Sequence, residues 1–315
     1  MNINFALVEG ALSMDCKKNA VDAFGALLML GLGAWITGYS LLAIVLSAVM
    51  DTKVREAIEC VYVNCMWLAV KTLFEDHQYL NIQVTGQELC DSSAVIISNH
   101  LSKLDYFVLG CLSQRCNLNG RCNFFVWRHC VKFPDFRMLL CKLKYTQNWT
   151  VRPNELQRKL RPIIMSDLPF WLIIFPEVDK LSESILIKNT EASKQNKSPV
   201  YYNLLAPRFP AFRDTISVLR KTQRPIYIYD ATFKYWGEAD KNGTKEHIDR
   251  APTVTDILFN HNTQWFVRIH VNQVLMDALP KKKRKLDKWL EKTWVSKDKR
   301  LNPKRRMFQK RPKPT

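Results

Sequence analysis

The sequence predicts an α/β domain built on a mainly parallel central sheet flanked by helices, with an N-terminal membrane helix or helical hairpin ahead of it. Three observations carry this. Short apolar or β-branched runs recur at 94–98, 170–175 and 225–235, separated by stretches of helical pattern. The first two are apolar at nearly every position, as expected of strands covered on both faces. Residues 23–50 form a run of 28 residues without a charge, and a membrane span needs roughly 20 apolar residues.

Taken in order, 1–22 is a short N-terminal segment and 23–50 the transmembrane helix or re-entrant hairpin. Gly31, Gly33 and Gly38 sit near its middle. They allow either one tilted, closely packed helix or a break in the run. The run is too long for a signal-peptide core. Residues 51–80 form an amphipathic helix and linker: the stretch 57–74 is apolar but carries Glu59, Asn64 and Lys71. It is expected to lie on the membrane or on the main domain.

The main domain is expected over 81–279. IQVTG (82–86) alternates like a strand and turns at Gly86. AVIIS (94–98) is a buried strand, LDYFVLGCL (104–112) a helix, and FFVW (124–127) a strand. FWLIIF (170–175) is a second buried strand, stopped by Pro176. ISVLRKT (216–222) ends a helix. PIYIYDATFKY (225–235) and WFVRIHVNQV (265–274) are strands rich in aromatic and β-branched residues.

Residues 280–315 form a polybasic C-terminal segment. The chain has 315 residues and a net charge of +18. From Lys281 onward there are 16 Lys/Arg against three acids, so +13 of that charge lies here. Such an excess implies an anionic partner. PKKKRKL (280–286) has the form of a nuclear-localisation signal, which keeps a nucleic-acid-binding protein as a rival reading. The membrane run and the lack of any nucleic-acid-binding motif count against it, so no nucleic acid is expected. A basic stretch beside an anionic leaflet explains the charge as well, with Trp289 and Trp294 at the interface. Nine cysteines without a C-x-x-C pair fit reduced thiols and fail as a zinc site; no metal is expected. There is no P-loop, dinucleotide fingerprint or G-x-S-x-G elbow.

The chemistry is expected where strands end and helices begin. His100 follows the strand 94–98, and Asp105 comes five residues later. On one ideal helix five residues turn roughly 500°, so the two meet only if His100 lies in the turn and Asp105 in the first helical turn. A histidine held by a carboxylate is a general base for a hydroxyl. Ser102-Lys103-Leu104-Asp105 also fits a helix-capping box, which would make Asp105 a cap alone. Phe175-Pro176-Glu177 closes the next buried strand. Arg128, Lys132, Arg152, Lys180 and Arg208 are cations nearby in sequence, suited to a phosphorylated acceptor or a coenzyme A donor.

Together, Ser98-Asn99-His100 with Asp105, the later Phe175-Pro176-Glu177 and the apolar N-terminus resemble the glycerolipid (1-acylglycerol-3-phosphate) acyltransferases. The nearest branch is the lysocardiolipin acyltransferase-like group with its divergent fungal members. Further landmarks of that branch are YYNLLAPRFPAFRDTISVLR (201–220), IYIYDATFKY (226–235) and the closing segment with Trp289, Trp294, Lys297 and Arg300-Leu301. The resemblance implies that His100 is the base and Asp105 its partner, with Asn99 beside them. It implies substrate contacts from Arg128, Lys132, Arg152, Phe175, Pro176, Glu177 and Lys180. It implies acyl-CoA as co-substrate with no bound cofactor, a lysophospholipid acceptor, a phospholipid membrane as partner, and the endoplasmic reticulum or else a mitochondrial membrane as location. Where the family has Gly-Thr after the glutamate, this chain has Val178-Asp179. A catalytically inactive lipid-binding relative is therefore the alternative.

Overall fold

The computed structural model describes residues 31, 34, 35, 38, 45, 50–76, 80–118, 120–127, 143–145, 153–166, 168–222, 224–241, 244–259 and 262–301. Most of the expected membrane segment 23–50 lies outside them, as does the segment 1–22. Among the described residues no helix is long and apolar enough to cross a membrane.

Helix α1 (Thr52–Lys71) continues into a π-helical turn, Thr72–Asp76. Met66, Trp67, Val70 and Phe74 recur at helical spacing and are all buried. So this stretch packs on the domain, one of the two expected placements. Strand β1 (Leu80–Gly86) follows, then β2 (Ala94–Ser98) and helix α2 (Leu104–Arg115). Next come β3 (Cys122–Trp127), β4 (Leu143–Tyr145), α3 (Pro153–Met165) and β5 (Trp171–Ile174). Helices α4 (Glu183–Gln195) and α5 (Phe209–Leu219) lead to β6 (Tyr227–Lys241) and β7 (Thr244–Ile248). The short α6 (Val254–Phe259), β8 (Thr263–Leu275), a 3₁₀ turn at Met276–Ala278 and α7 (Lys283–Leu301) complete the described elements.

The strand order is β1-β8-β6-β2-β5-β3-β4, with β7 on β6. β2 sits between β5 and β6, parallel to both, and every residue of its AVIIS run is buried. The two-residue period divides it: Ala94 and Ile96 face the core under α1 and α2, while Val95 and Ile97 face the core under α3, α5 and α7. The sheet is mixed rather than simply parallel. β6 and β8 form a long antiparallel ribbon, from Tyr227↔Leu275 to Ala239↔Thr263. β7 folds back on β6 from Lys241↔Thr244, with only Asn242-Gly243 between them in sequence, a pair favoured in tight hairpins. β7 and β8 both run antiparallel to β6 and both start beside its C-terminal end, so the connection through α6 carries the chain back to that end.

The boundary expected at 279 does not end the packed body. Leu286, Leu290, Trp294, Lys297 and Asp298 are buried along one face of α7. Asp298 Oδ1 accepts the amides of Tyr202 (3.0 Å) and Asn203 (2.7 Å), which ties the helix to the segment before α5. Trp294 is 0 % exposed, so it belongs to the core and not to a lipid interface.

α1 approaches the domain closely at two glycines, Gly120 against the backbone of Cys60 and Gly110 of α2. Gly110 of α2 lies against the indole of Trp67, and a Cβ there would overlap the ring. Gly110→Ala is therefore expected to destabilise the protein by about 1–3 kcal/mol through overpacking. Equilibrium denaturant unfolding checks this, and an unchanged midpoint would show that α1 yields freely.

Candidate active site

The turn between β2 and α2 brings His100 and Asp105 together. His100 Nδ1 lies 2.8 Å from Asp105 Oδ2. The same oxygen accepts the backbone amides of Leu101 (2.7 Å) and Ser102 (3.0 Å). Oδ1 accepts the Tyr235 hydroxyl at 2.7 Å from β6. Asp105 is completely buried, and these four donors replace its water. Burial and the Asp105 charge hold the Tyr235 phenol well above its usual range, so it stays a donor. A carboxylate oxygen can only accept from the ring, so Nδ1 carries the proton and the neutral ring keeps its lone pair on Nε2. Capping and orienting are one arrangement here, since the carboxylate that receives the Ser102 amide also receives the imidazole.

The ring is framed by aromatics. Phe175 lies 4.6 Å away, centroid to centroid, and Tyr106 5.3 Å away edge-on. The side chain of His100 keeps 8 % of its surface exposed. Its carbonyl accepts the Leu181 amide at 3.0 Å, so the loop after β5 is fastened to the histidine's own backbone. That loop contains a tight turn. Val178 N–H donates to Phe175 O (3.1 Å) and Asp179 N–H to Glu177 O (2.9 Å), with Val178 at φ +79°. An Asp179-to-Glu177 bond around a positive φ is the strained form of a γ-turn. The valine resists that conformation sterically, as its β-branching predicts, and is held there by burial of its side chain.

Beneath the sheet end lies a buried polar cluster. Lys297 of α7 is 0 % exposed. Its Nζ donates to Ala231 O at 2.6 Å, lies 2.7 Å from Asp230 Oδ1, and sits over the Trp294 ring at 4.5 Å. Asn272 donates to the other Asp230 oxygen at 3.1 Å. Trp294 Nε1 donates to Glu177 Oε1 at 3.1 Å. The amides of His100 and Leu205 also lie toward the Glu177 carboxylate, although Oε2 makes no hydrogen bond of normal geometry. Burial pushes Glu177 up to about 8, against the pull of Lys297 and the Trp294 bond. Burial pushes Lys297 down, opposed by Asp230 and Glu177.

The sequence-derived residues thus divide. His100, Asp105 and Phe175 meet at the end of β2. Asn99 is wholly buried, and both ends of its amide bond to β6: Nδ2 donates to Phe233 O (3.1 Å) and Oδ1 accepts Phe233 N–H (2.8 Å). Its part is therefore to position β2 against β6, not to touch a substrate. Pro176 O accepts the Arg208 amide at 2.8 Å. Glu177 is turned into the core toward Trp294, which corrects its expected role as an acceptor contact. Lys180 is exposed beside the loop. Arg128, Lys132 and Arg152 lie outside the described residues. Tyr235, Asp230, Lys297 and Trp294 were not expected as site residues. Asp230 and Tyr235 both belong to the IYIYDATFKY block, five positions apart and so on opposite faces of the strand. Among the described residues no group of three His, Cys, Asp or Glu side chains is placed to hold a metal ion.

The cluster has a pH consequence. Glu177 titrates near 8 when folded, against an ordinary 4.5. A raised carboxyl pKa favours folding fully below the unfolded value. The contribution is lost as pH rises through the window up to about 8, because the unfolded chain ionises first. Relative to Glu177→Gln, the natural protein is expected to lose about 1.4 kcal/mol per pH unit within that window. Thermal unfolding of both proteins across it checks this, and parallel curves would refute a proton on Glu177.

The Acyltransferase family profile matches residues 81–206, which span β1 to the approach to α5 and include the whole His100–Asp105 turn. The chain is 22 % identical over 242 residues to "Probable 1-acyl-sn-glycerol-3-phosphate acyltransferase 5" of Arabidopsis thaliana, covering 75 % of this chain and 60 % of that one. It is 23 % identical over 268 residues to "1-acyl-sn-glycerol-3-phosphate acyltransferase epsilon" of Mus musculus (82 % and 70 %). It is 25 % identical over 230 residues to "Lysocardiolipin acyltransferase 1" of Gallus gallus (70 % and 56 %). The chain thus spans about 60 % of the length of the first of these relatives. The crystal structure of the 1-acyl-sn-glycerophosphate acyltransferase of Thermotoga maritima aligns with 95 % of this chain and 99 % of its own, at a TM-score of 0.44 and 14 % identity. Residues 81–206 thus match the Acyltransferase family, and the chain is similar to proteins named as 1-acyl-sn-glycerol-3-phosphate and lysocardiolipin acyltransferases.

Proposed function

We propose that this protein moves a fatty acyl group from acyl-CoA to the free hydroxyl of a lysophospholipid, with His100 as general base. The observation that carries the reading is the Asp105 carboxylate, which fixes the His100 tautomer through Nδ1 while three other donors hold the carboxylate still. His100 Nε2 takes the proton of the acceptor hydroxyl as its oxygen attacks the thioester carbon. The C–S bond then breaks, and the proton passes from Nε2 to the departing CoA thiolate. Asp105 stabilises the imidazolium between these steps and is not itself protonated. Acyl transfer is direct, with no acyl-enzyme.

The acceptor is a lysophosphatidic acid-like or lysocardiolipin-like anion. Arg128, Lys132, Arg152 and Lys180 are the cations proposed to hold its phosphate. The uncharged run 23–50 supports action at a membrane, for which the family resemblance suggests the endoplasmic reticulum. One observation favours a second reading, a lipid-binding relative without catalysis: the family's glycine is replaced by a strained, buried Val178, and Asp179 sets a carboxylate beside the loop.

Isolated membranes supplied with labelled acyl-CoA and a panel of lysophospholipids test the reading. His100→Ala is expected to lower the rate about 10²- to 10⁴-fold. Tyr235→Phe removes one hydrogen bond to a charged acceptor and is expected to lower kcat about ten- to a hundredfold with KM little changed. Full activity in His100→Ala would overturn the mechanism. No product from the natural protein with any acceptor would favour the lipid-binding relative.

A further inference from the structure

The far end of the sheet carries a separate basic cavity that the acyl-transfer reading does not use. β2 and β6 run in parallel from Ala94↔Tyr227 to Ser98↔Ala231, and His100 follows the last of these pairs. The segment after β8 lies at the other edge, where Met276 N–H donates to Ile226 O at 2.9 Å. The length of β2 alone puts roughly 17 Å between the two edges. At that far edge, a cavity of about 500 Å³ opens between α5 and the start of α7. Arg213, Arg220, Lys281 and Lys283 line it with the Ser217 hydroxyl, and Leu286 forms an apolar part of its wall. Asp277 is the single acid in the lining.

We propose that this cavity is a second binding site, for a phosphate-bearing anion. The four cations come from three parts of the chain: α5 and its end, the connection after β8, and α7. Two of them are fixed in advance. Arg213 Nη1 lies 2.9 Å from Asp287 Oδ2, and its Nε lies 3.8 Å from Asp214 Oδ1. Arg220 donates to the carbonyls of Leu279 (2.9 Å) and Pro280 (3.0 Å), and more weakly to that of Lys281 (3.4 Å). These are neutral acceptors, so the charge of Arg220 is not cancelled by them. Lys281 and Lys283 are exposed, and among the described residues neither forms an ion pair within 4 Å. Arg213 is already balanced by its carboxylates, so the uncancelled charges are Arg220, Lys281 and Lys283 against the one acid Asp277; an anion between these three relieves their repulsion. Arginine forks, ammonium groups and a hydroxyl together match the several acceptor oxygens of a phosphate. The volume suits a headgroup-sized ligand. A concave site of this size takes one compact group and does not follow a nucleic-acid backbone.

The phosphate has two sources, a lipid headgroup or a soluble anion, and the test separates them. The full chain is held in phosphatidylcholine nanodiscs, and its unfolding midpoint is read against added pyrophosphate. In a second arm the nanodiscs contain phosphatidic acid. Each arm compares the natural protein with Lys281→Gln/Lys283→Gln and with Lys282→Gln/Lys285→Gln. The second pair removes the same charge from exposed positions outside the cavity lining. A saturable stabilisation by pyrophosphate assigns a soluble anion, and one that needs phosphatidic acid assigns a headgroup. In either arm the Lys281/Lys283 variant is expected to bind about tenfold or more weakly, and the Lys282/Lys285 variant nearly as well as the natural protein. No stabilisation in either arm, or equal loss in both variants, overturns the proposal. Acyl transfer is not the readout, so the result stands whether or not the proposed reaction is correct.

Discussion

Asp105 accepts hydrogen bonds from two parts of the chain that are far apart in sequence. The ring of His100 and the amides of Leu101 and Ser102 come from the turn after β2, and the Tyr235 hydroxyl comes from β6. An ionised carboxylate buried without partners would cost several kcal/mol. The four donors offset that cost and so set the distance between turn and strand. Asn99, the residue after the last β2–β6 register pair, adds a second tie by matching the backbone of Phe233, two residues beyond that pair on β6. β6 must therefore run on past the end of β2, where β8 pairs with it throughout and β7 joins from Gly237 onward. In this way the long β6/β8 ribbon, which departs from a simple parallel sheet, is what places a phenol over the histidine's partner.

The opposite face of the same sheet end is held by charge. Lys297 donates to the carbonyl of Ala231 and approaches that of Ile97, the two strands that lead into Asp105's surroundings. Its own charge is balanced by Asp230. With Glu177 protonated, the cluster of Lys297, Asp230 and Glu177 is neutral. With Glu177 ionised, it carries one uncompensated negative charge away from water. Burial therefore raises Glu177, and the Trp294 bond then joins the Phe175-Pro176-Glu177 turn to the last helix. Breaking one partner of such a pair is costlier than removing both, because the survivor stays buried and charged.

The strands and helices around the site were legible because burial on one or both faces imposes periods of 2 and 3.6 on the sequence. The His100–Asp105 pair was legible because it spans a strand-to-helix turn, where only local spacing matters. Tyr235 was not, since its partner lies 130 residues away and nothing in the strand marks which aromatic turns inward. Lys297 was hidden differently. It sits in a segment crowded with lysines, where composition argues for solvated charge. The signal was spacing: Leu286, Leu290 and Trp294 mark a helical stripe, and Lys297 falls on its next step. The β6–β7 hairpin had a signal in Asn242-Gly243, but the long β6/β8 ribbon had none, because alternating strand patterns do not say which way a neighbour runs.

Val178 shows how a departure from the family pattern is absorbed. A positive φ at a β-branched residue costs about 1–3 kcal/mol. Full burial of a valine side chain returns about 1.5–3 kcal/mol, and Val178 packs in the core that includes Val95, Ile97 and Trp294. The two terms nearly cancel, so the turn keeps a glycine-like backbone without a glycine. Its amides are committed inward: Val178 N–H to Phe175 O and Asp179 N–H to Glu177 O. They are thereby spent on the loop itself and not on a ligand. On the proposed reading, selectivity for an acceptor at this loop then falls to side chains, with half-buried Asp179 and exposed Lys180 of opposite sign side by side. A glycine-containing loop offers its backbone to the acceptor at close range. On that same proposed reading, this one offers a charge pattern instead.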